Sequence, residues 1–239
     1  MSRKIGIVVF SFAVLLFIVG CGNNSVSKGS GNNDVEMFAG FRDDFGGNEC
    51  GGMCWDFYTF LPDDKIVVGL PVNGGPETID CKHDECLEYT ISGGQIELSN
   101  GKSYTYESND GELVINDVRL SKVEPVPNDT TFDNVYTYIG YSGLVGVSSG
   151  SSSWTYKLDL NPDGTFELDG VTIGSVGGSS GVTTDGSSAG TSSKGTYEIK
   201  KNTMTMKTDD NVEQVLFFIH DSDVKDIQVG NKNYYVKED

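Results

Sequence analysis

The chain has 239 residues and is strongly acidic, with 35 Asp and Glu against 17 Lys and Arg and a formal net charge of −18. Nucleic acid would repel such a chain, and no basic cluster offsets the charge, so the composition argues against a nucleic-acid partner. Anionic lipid headgroups repel it for the same reason, so attachment to a membrane has to come from a lipid or an apolar segment.

The first 20 residues have the pattern of a secretory signal peptide: Arg3 and Lys4, then an almost unbroken apolar run over 5–19 that is short for a membrane span. The run ends in Ile18-Val19-Gly20-Cys21, which resembles the lipobox of bacterial lipoproteins. The resemblance implies cleavage before Cys21, acylation of that cysteine with fatty acids such as palmitate, and an extracytoplasmic location on the membrane. An uncleaved anchor helix and a signal peptide cut elsewhere are the alternatives.

Residues 21–36 are polar and rich in Gly, Ser and Asn, so they cannot bury enough apolar surface to fold and are expected to form a flexible tether. The remainder is rich in Gly, Ser, Thr, Tyr and Val and lacks long segments with helical periodicity. This composition predicts an all-β fold.

An internal repeat divides the folded part into two copies of about one hundred residues. Its matching positions are Phe38-Ala-Gly-Phe41 with Tyr138-Ile-Gly-Tyr141, Trp55 with Trp154, Pro62-Asp63 with Pro162-Asp163, and Tyr89, Ile91, Ile96 and Leu98 with Tyr197, Ile199, Met204 and Met206. The repeat predicts a first β domain over 37–126 and a second over 129–239, joined at 124–128. The second domain carries an additional Gly/Ser-rich loop over 174–195.

Short segments of alternating apolar and polar residues, separated by Pro-Asp, Gly-Gly and Asn-Gly turns, predict seven or so antiparallel strands in each copy. The meander is expected to curl into a small barrel or sandwich. The predicted strands are 55–61, 65–70, 87–92, 95–99, 102–107, 112–116 and 118–124 in the first copy, and 154–160, 164–169, 195–200, 203–208, 212–219, 225–229 and 233–237 in the second.

A tryptophan-led strand, the Pro162-Asp-Gly164 turn, the segment Gly195-Thr-Tyr-Glu-Ile199 and a final strand ending in Tyr234-Tyr-Val-Lys237 resemble the lipocalin-like domains of bacterial lipoproteins. The resemblance implies two tandem up-and-down β barrels that hold small apolar ligands. Trp55 and Trp154 are the candidate ligand-lining residues, although aromatic residues of this kind also form the core of a small barrel.

Cys50, Cys54, Cys81 and Cys86 all belong to the first copy, and a hairpin between the first two predicted strands would bring them to one end of the sheet. In an exported protein they are expected to form disulfides, with three connectivities possible. The alternative is a zinc site of four thiolates with His83 nearby.

No catalytic constellation emerges. Gly146-Val-Ser148-Ser-Gly150 fits the nucleophile-elbow pattern, but no helix follows it, and His220 is the one later histidine. The sequence therefore predicts a non-enzymatic protein with no catalytic residue, metal or cofactor. We expect a lipid-anchored binding protein of the cell envelope that holds a small apolar ligand. The alternative is a protein with solid barrels that binds another envelope protein, as an inhibitor or immunity-type lipoprotein does.

Replacing Cys21 with Ser removes the predicted acylation site, so the variant is expected to leave the membrane fraction when host cells are fractionated. Retention of the variant in that fraction would contradict lipid anchoring and indicate that the apolar run itself holds the chain.

Overall fold

The computed structural model describes residues 34–109, 112–143, 150–177, 183–188 and 192–238. The predicted signal peptide, Cys21, most of the tether and the serine of the elbow pattern lie outside these ranges. The described ranges are all β, apart from one turn of 3-10 helix, η1 (Pro76–Thr78). They contain no helix with the length and apolar character that a membrane span requires.

Barrel 1 is a meander in which each strand pairs antiparallel with the next, and β8 closes the ring on β1 with Phe38 opposite Lys122. Its tight turns use residues that tolerate a left-handed backbone, such as Asn116 and Asp117 with φ of 53° and 65°. The strands are β1 (Glu36–Asp43), β2 (Met53–Leu61), β3 (Lys65–Val68), β4 (Leu87–Ser92), β5 (Gln95–Leu98), β6 (Ser103–Asn109), β7 (Glu112–Ile115) and β8 (Val118–Lys122).

Barrel 2 repeats this topology, and β17 closes the ring on β9 with Tyr235 opposite Thr137. β12 lies outside the eight-stranded ring and pairs with the far half of β11. The strands are β9 (Asn134–Ser142), β10 (Ser151–Leu160), β11 (Thr165–Gly177), β12 (Thr183–Ser188), β13 (Ser192–Lys200), β14 (Thr203–Lys207), β15 (Val212–Ile219), β16 (Asp226–Val229) and β17 (Lys232–Val236).

The predicted fold class, two tandem antiparallel β barrels, is therefore confirmed. The equivalence of β4–β5 with β13–β14 holds residue by residue, because Tyr89 and Ile91 face Leu98 and Ile96 just as Tyr197 and Ile199 face Met206 and Met204. The expectation of a continuous loop over 174–195 is wrong. β11 extends to Gly177, β12 occupies Thr183–Ser188 and β13 begins at Ser192, because the Ser, Thr and Val residues of this segment pair as strands.

Side chains fill the interior of each barrel. In barrel 1 they include Tyr58, Ile66, Ile96, Leu98, Leu113, Ile115, Val118 and Leu120, and in barrel 2 Tyr136, Leu158, Leu160, Phe166, Ile199, Met204, Phe217 and Ile227. Phe132 belongs to the buried barrel 2 core and donates its N–H to the Tyr197 hydroxyl at 2.9 Å. Burial raises the pKa of Tyr136 to about 12, so its phenol stays protonated and donates to the Val224 carbonyl at 2.8 Å.

The two barrels share a third apolar cluster, here called the seam. The outward-facing residues of β1 and β2 pack there against the outward-facing residues of β15. Its buried members are Met37, Ala39, Phe57, Val123, Leu216 and Phe218.

The segment predicted to join the domains also packs on barrel 2. Val126 is 5% exposed and bridges to Lys201, and the Asn202 side chain donates to the Glu124 carbonyl at 2.9 Å. The joint is therefore part of the packed structure along barrel 2.

Thr59 is fully buried on the seam face of β2, and its hydroxyl has no hydrogen-bond partner among the described residues. A buried polar group without a partner costs roughly 1–3 kcal/mol. Thr59→Val, which replaces the hydroxyl with a methyl group of similar size, is therefore expected to raise the free energy of unfolding in urea by about 1 kcal/mol.

Thr90→Val on an exposed position of β4 serves as the matched control and should change the stability by less than about 0.5 kcal/mol. A loss of stability in Thr59→Val would show that the hydroxyl forms a bond that the packing requires.

Candidate binding surfaces

The two tryptophans lie on opposite faces of their barrels. Trp55 sits opposite Phe41 in the β1–β2 pair, whereas Trp154 sits opposite Gly140, the equivalent of Gly40, in the β9–β10 pair. A shift of one residue moves a side chain to the other face of a sheet. The sequence match between Trp55 and Trp154 is therefore wrong at the structural level.

Trp55 faces out of barrel 1 and belongs to the seam. Its ring centroid is 4.7 Å from that of His220 and 6.3 Å from that of Phe218, and both of these rings belong to barrel 2. The His220 ring also lies 4.7 Å from Phe218, and its Nε2 is 3.1 Å from the Gln228 side-chain oxygen. These contacts make Trp55 and His220 packing residues between the barrels.

Trp154 faces the interior of barrel 2, and its hydrogen bond to Tyr138 lowers the pKa of that phenol, although burial raises it overall. The absence of a side chain at Gly140 makes room for the indole, since a Cβ there would lie 2.3 Å from Trp154 Nε1. Tyr138 also stacks on Tyr156 and packs against Tyr234. This end of the barrel interior is therefore aromatic and already occupied by side chains.

The cysteines form two local disulfides, Cys50–Cys54 and Cys81–Cys86, with Cα atoms 5.3 Å apart in each. All four lie at one end of barrel 1, as expected, because the β1–β2 and β3–β4 loops leave the same end of the meander, but each pair closes its own loop. The zinc alternative loses its thiolates to these bonds. Asp44 lies near the sulfurs of the first disulfide, and His83 is exposed beside Asp80 at 3.4 Å.

The Cys50–Cys54 disulfide closes the β1–β2 loop (residues 44–52), which is ordered by its own hydrogen bonds. The Asp44 carboxylate accepts from the backbone N–H of Glu49 at 2.9 Å and of Cys50 at 3.0 Å. The Asp44 N–H donates to the Gly52 carbonyl at 2.9 Å. These bonds hold the loop in one conformation next to the end of β1.

Barrel 2 holds the same loop from the other side. The N–H of Tyr141 donates to the Gly51 carbonyl at 3.1 Å, and that of Gly143 donates to the Gly46 carbonyl at 2.9 Å. Gly51, with φ of 85°, lies against the Trp154 ring, where a Cβ would approach to 2.7 Å. The β1–β2 loop thus extends the backbone hydrogen bonding of β9.

An exposed apolar surface, here called the aromatic patch, continues outward from the seam along β1, the β1–β2 loop and β2. It consists of Phe41 and Met53, on the outer face of the β1–β2 pair, and Phe45 in the adjoining loop, which are 55%, 41% and 79% exposed. The Phe41 ring lies 5.5 Å from that of Trp55, so the patch adjoins the buried aromatic cluster. Exposed apolar residues of this size that cluster on a rigid element mark interaction sites more often than singly scattered ones do.

Acidic side chains surround the aromatic patch. Asp43 is exposed and lies opposite Met53 in the β1–β2 pair. Arg42 hydrogen-bonds Glu49, which lowers the pKa of that carboxyl, and binds Asp56 at 3.1 Å. Arg42 and Asp56 lie on the inward-facing side of the β1–β2 pair, so this cation is shared between two carboxylates and does not offset the charge of Asp43 on the outer face beside the patch.

The β3–β4 loop (residues 69–86) carries the second disulfide and also reaches barrel 2. Glu77 accepts from the Thr203 hydroxyl at 2.6 Å and from the Asn202 N–H at 3.1 Å. Within the loop, the buried Asp84 carboxylate accepts from the N–H of Val72 at 2.7 Å and of Asp80 at 2.8 Å. The loop is thereby fixed along the barrel 2 wall.

A cleft of about 370 Å³, here called the β15 cleft, lies between this loop and barrel 2. Its apolar lining includes Leu70, Val72, Leu168, Met206, Val215 and Tyr234, and its polar lining includes Glu213, Asn231 and Lys232. Sequence reasoning missed this cleft because its walls come from two separate copies of the repeat. The exposed phenylalanines of the aromatic patch were likewise missed, since alternation alone assigns them to a strand face without saying what covers it.

Comparisons with protein-family models, with curated proteins and with solved structures give no match to this chain.

Hydrogen bonds, chiefly from the Cys50 amide, lower the pKa of Asp44. Because the folded pKa is below the unfolded one, the carboxylate stabilises the β1–β2 loop at neutral pH, and this contribution is lost as the pH falls through the folded pKa. The amide chemical shift of Cys50 should therefore titrate with a midpoint below the usual range for aspartate. Asp44→Asn should remove this titration, whereas Asp43→Asn should leave it in place, and persistence in Asp44→Asn would assign it to another group.

Proposed function

We propose that the chain is an exported, non-enzymatic binding protein, anchored to the envelope membrane through lipid on Cys21, whose aromatic patch binds a protein partner. The observation that carries the proposal is the exposure of Phe41, Phe45 and Met53 on one rigid surface. Aromatic residues and methionine are enriched at protein interfaces, and a few such anchors supply most of the binding energy.

The rigidity of the surface supports a binding role. The disulfide, the Asp44 hydrogen bonds and the backbone bonds to barrel 2 hold Phe45 outward before any partner arrives. A partner therefore does not have to order the loop, and this lowers the entropic cost of association.

The charge around the aromatic patch indicates the chemistry of the partner. Asp43 and Glu49 flank the apolar side chains, and the whole chain carries a formal charge of −18. A basic polypeptide surface with an apolar centre complements this arrangement, since opposite potentials raise association rates and suppress wrong partners.

The proposed location agrees with the two disulfides, which form and persist in oxidising compartments outside the cytoplasm. The signal peptide and lipobox patterns point to the same compartment, and a tether would leave the barrels free to meet a partner near the membrane.

An apolar ligand inside a hollow barrel is less well supported. An eight-stranded barrel is just wide enough for its own side chains or for one small ligand. Here large buried residues such as Tyr58 and Phe217 occupy the interiors. Filled barrels with an exposed aromatic surface fit the protein-binding alternative better.

Photo-crosslinking tests the proposal directly. A benzophenone side chain placed at position 45 in the full chain is expected to capture a basic protein in host cells, and the captured partner can then be purified and titrated. The double variant Phe41→Ser, Phe45→Ser should bind it at least roughly 30-fold more weakly, because the loss of even one anchor of this kind costs about 2 kcal/mol.

The matched control is Val135→Ser, Ile139→Ser, which removes exposed apolar residues from the outer face of barrel 2. Both double variants should unfold at the same urea concentration as the parent. Equal loss of binding in both, or undiminished binding in the patch variant, would remove the aromatic patch as the interface.

A further inference from the structure

The β15 cleft is a second site, separate from the aromatic patch, and nothing in the proposed function uses it. Its volume of about 370 Å³ is at the lower end of the range for small-molecule sites. We propose that the β15 cleft binds a short apolar peptide, of two or three residues, with free termini.

The floor of the cleft is apolar and is built from barrel 2. Leu168, Met206 and Val215 pack against the barrel 2 core from this end, and Tyr234 is 4% exposed. Leu70 and Val72 of barrel 1 cover the opposite side and are 37% and 61% exposed, so they present apolar surface to an incoming group. A ligand with apolar side chains would remove this surface from water.

The edge of β15 offers backbone hydrogen bonds next to the apolar floor. β15 pairs with β14 over Val212–Leu216, but its pairing with β16 begins only at Phe217. Within the described residues, no strand pairs with Val212–Val215 on the β16 side. The Gly74 N–H already donates to the Gln214 carbonyl there at 3.1 Å, so a ligand would use the backbone groups that this bond leaves free on the same edge. Added extended peptides use such edges for main-chain hydrogen bonds.

Two opposite charges line the same cleft. Lys232 Nζ has no carboxylate oxygen within 4 Å among the described residues and lies 5.9 Å from the Tyr156 ring centroid. Lys232 Nζ donates to the Asn231 side-chain oxygen at 3.3 Å. Glu213 likewise forms no ion pair with a described residue, and both side chains are therefore available to a ligand.

This pair of charges selects the class of ligand. A chain with a formal charge of −18 repels a simple anion such as a fatty acid, whereas a zwitterion carries no net charge. A peptide carboxylate at Lys232 and a peptide ammonium at Glu213 match the two free charges. The apolar side chains of the peptide would then lie against Leu168 and Met206.

The wall from barrel 1 is formed in advance. The Asp84 carboxylate accepts a hydrogen bond from the Val72 N–H at 2.7 Å, and the Cys81–Cys86 disulfide closes the same loop. The second disulfide therefore has a role in this proposal, which is to keep Val72 over the cleft.

Calorimetric titration of the full chain in mild detergent tests the proposal, with Leu-Leu as the probe. Leu-Leu is expected to bind saturably, and the doubly capped N-acetyl, C-amide form at least tenfold more weakly, since each charged hydrogen bond contributes about that factor. Lys232→Gln should weaken Leu-Leu about tenfold without affecting Leu-Leu amide, and Glu213→Gln should weaken Leu-Leu without affecting N-acetyl Leu-Leu.

Lys157→Gln, an exposed change on β10, is the matched control and should bind Leu-Leu as the parent does. Urea unfolding of each variant establishes that it is folded. The proposal is overturned if the folded parent shows no saturable binding of Leu-Leu, if capping or the two cleft variants change nothing, or if decanoate binds as tightly as the dipeptide.

Discussion

Burial of both faces of β2 is the constraint on which the rest of the described structure depends. Tyr58 fills barrel 1 from one face, while Phe57 and the fully buried Thr59 pack outward into the seam. A barrel strand of an isolated domain would turn that second face to water. Because this outer face of β2 is apolar and buried, barrel 2 has to pack against barrel 1 there. This packing places the β1–β2 and β3–β4 loops where they contact barrel 2.

The sequence was sufficient to predict the barrels and seven strands of each ring, because these depend on local alternation and on turn residues such as Asn116 and Asp117. It missed β1 and β9, the first strand of each ring, and also β12. The seam depends on contacts between the copies, which periodicity does not report. A signal for it was nonetheless present: the five consecutive apolar residues Val215–Ile219 on β15 are more than one buried face needs. The predicted equivalence of Trp55 and Trp154 was wrong for a different reason. A shift of one residue in the alignment of the two copies moves a side chain from the inner to the outer face of the barrel.

The two copies of the repeat contribute different parts of the candidate sites. Both disulfide-closed loops belong to barrel 1, and both reach across to barrel 2, where they meet β9 on one side and the β13–β14 turn and β15 on the other. The aromatic patch and the β15 cleft are built at these two crossings. In each case barrel 2 supplies strands that hold the loop in place, and the disulfide-closed loop of barrel 1 supplies residues of the site that have no counterpart in barrel 2. Neither site could be located from one copy alone, because each needs residues from both or a loop that both hold.

The seam joins unlike surfaces, β1 and β2 of one copy with β15 of the next, so it is a head-to-tail contact without two-fold symmetry. Contacts of this type do not close on themselves and can propagate into filaments. Barrel 2 still presents apolar residues on β9, the counterpart of β1, with Val135 and Ile139 about half exposed. On barrel 1, however, the counterpart of β15 is β6, whose outward residues Ser103, Thr105 and Glu107 are exposed and polar. Among the described residues, β6 therefore lacks the apolar outer face with which β15 completes the seam, so the contact between the two copies is not repeated by the same pair of surfaces.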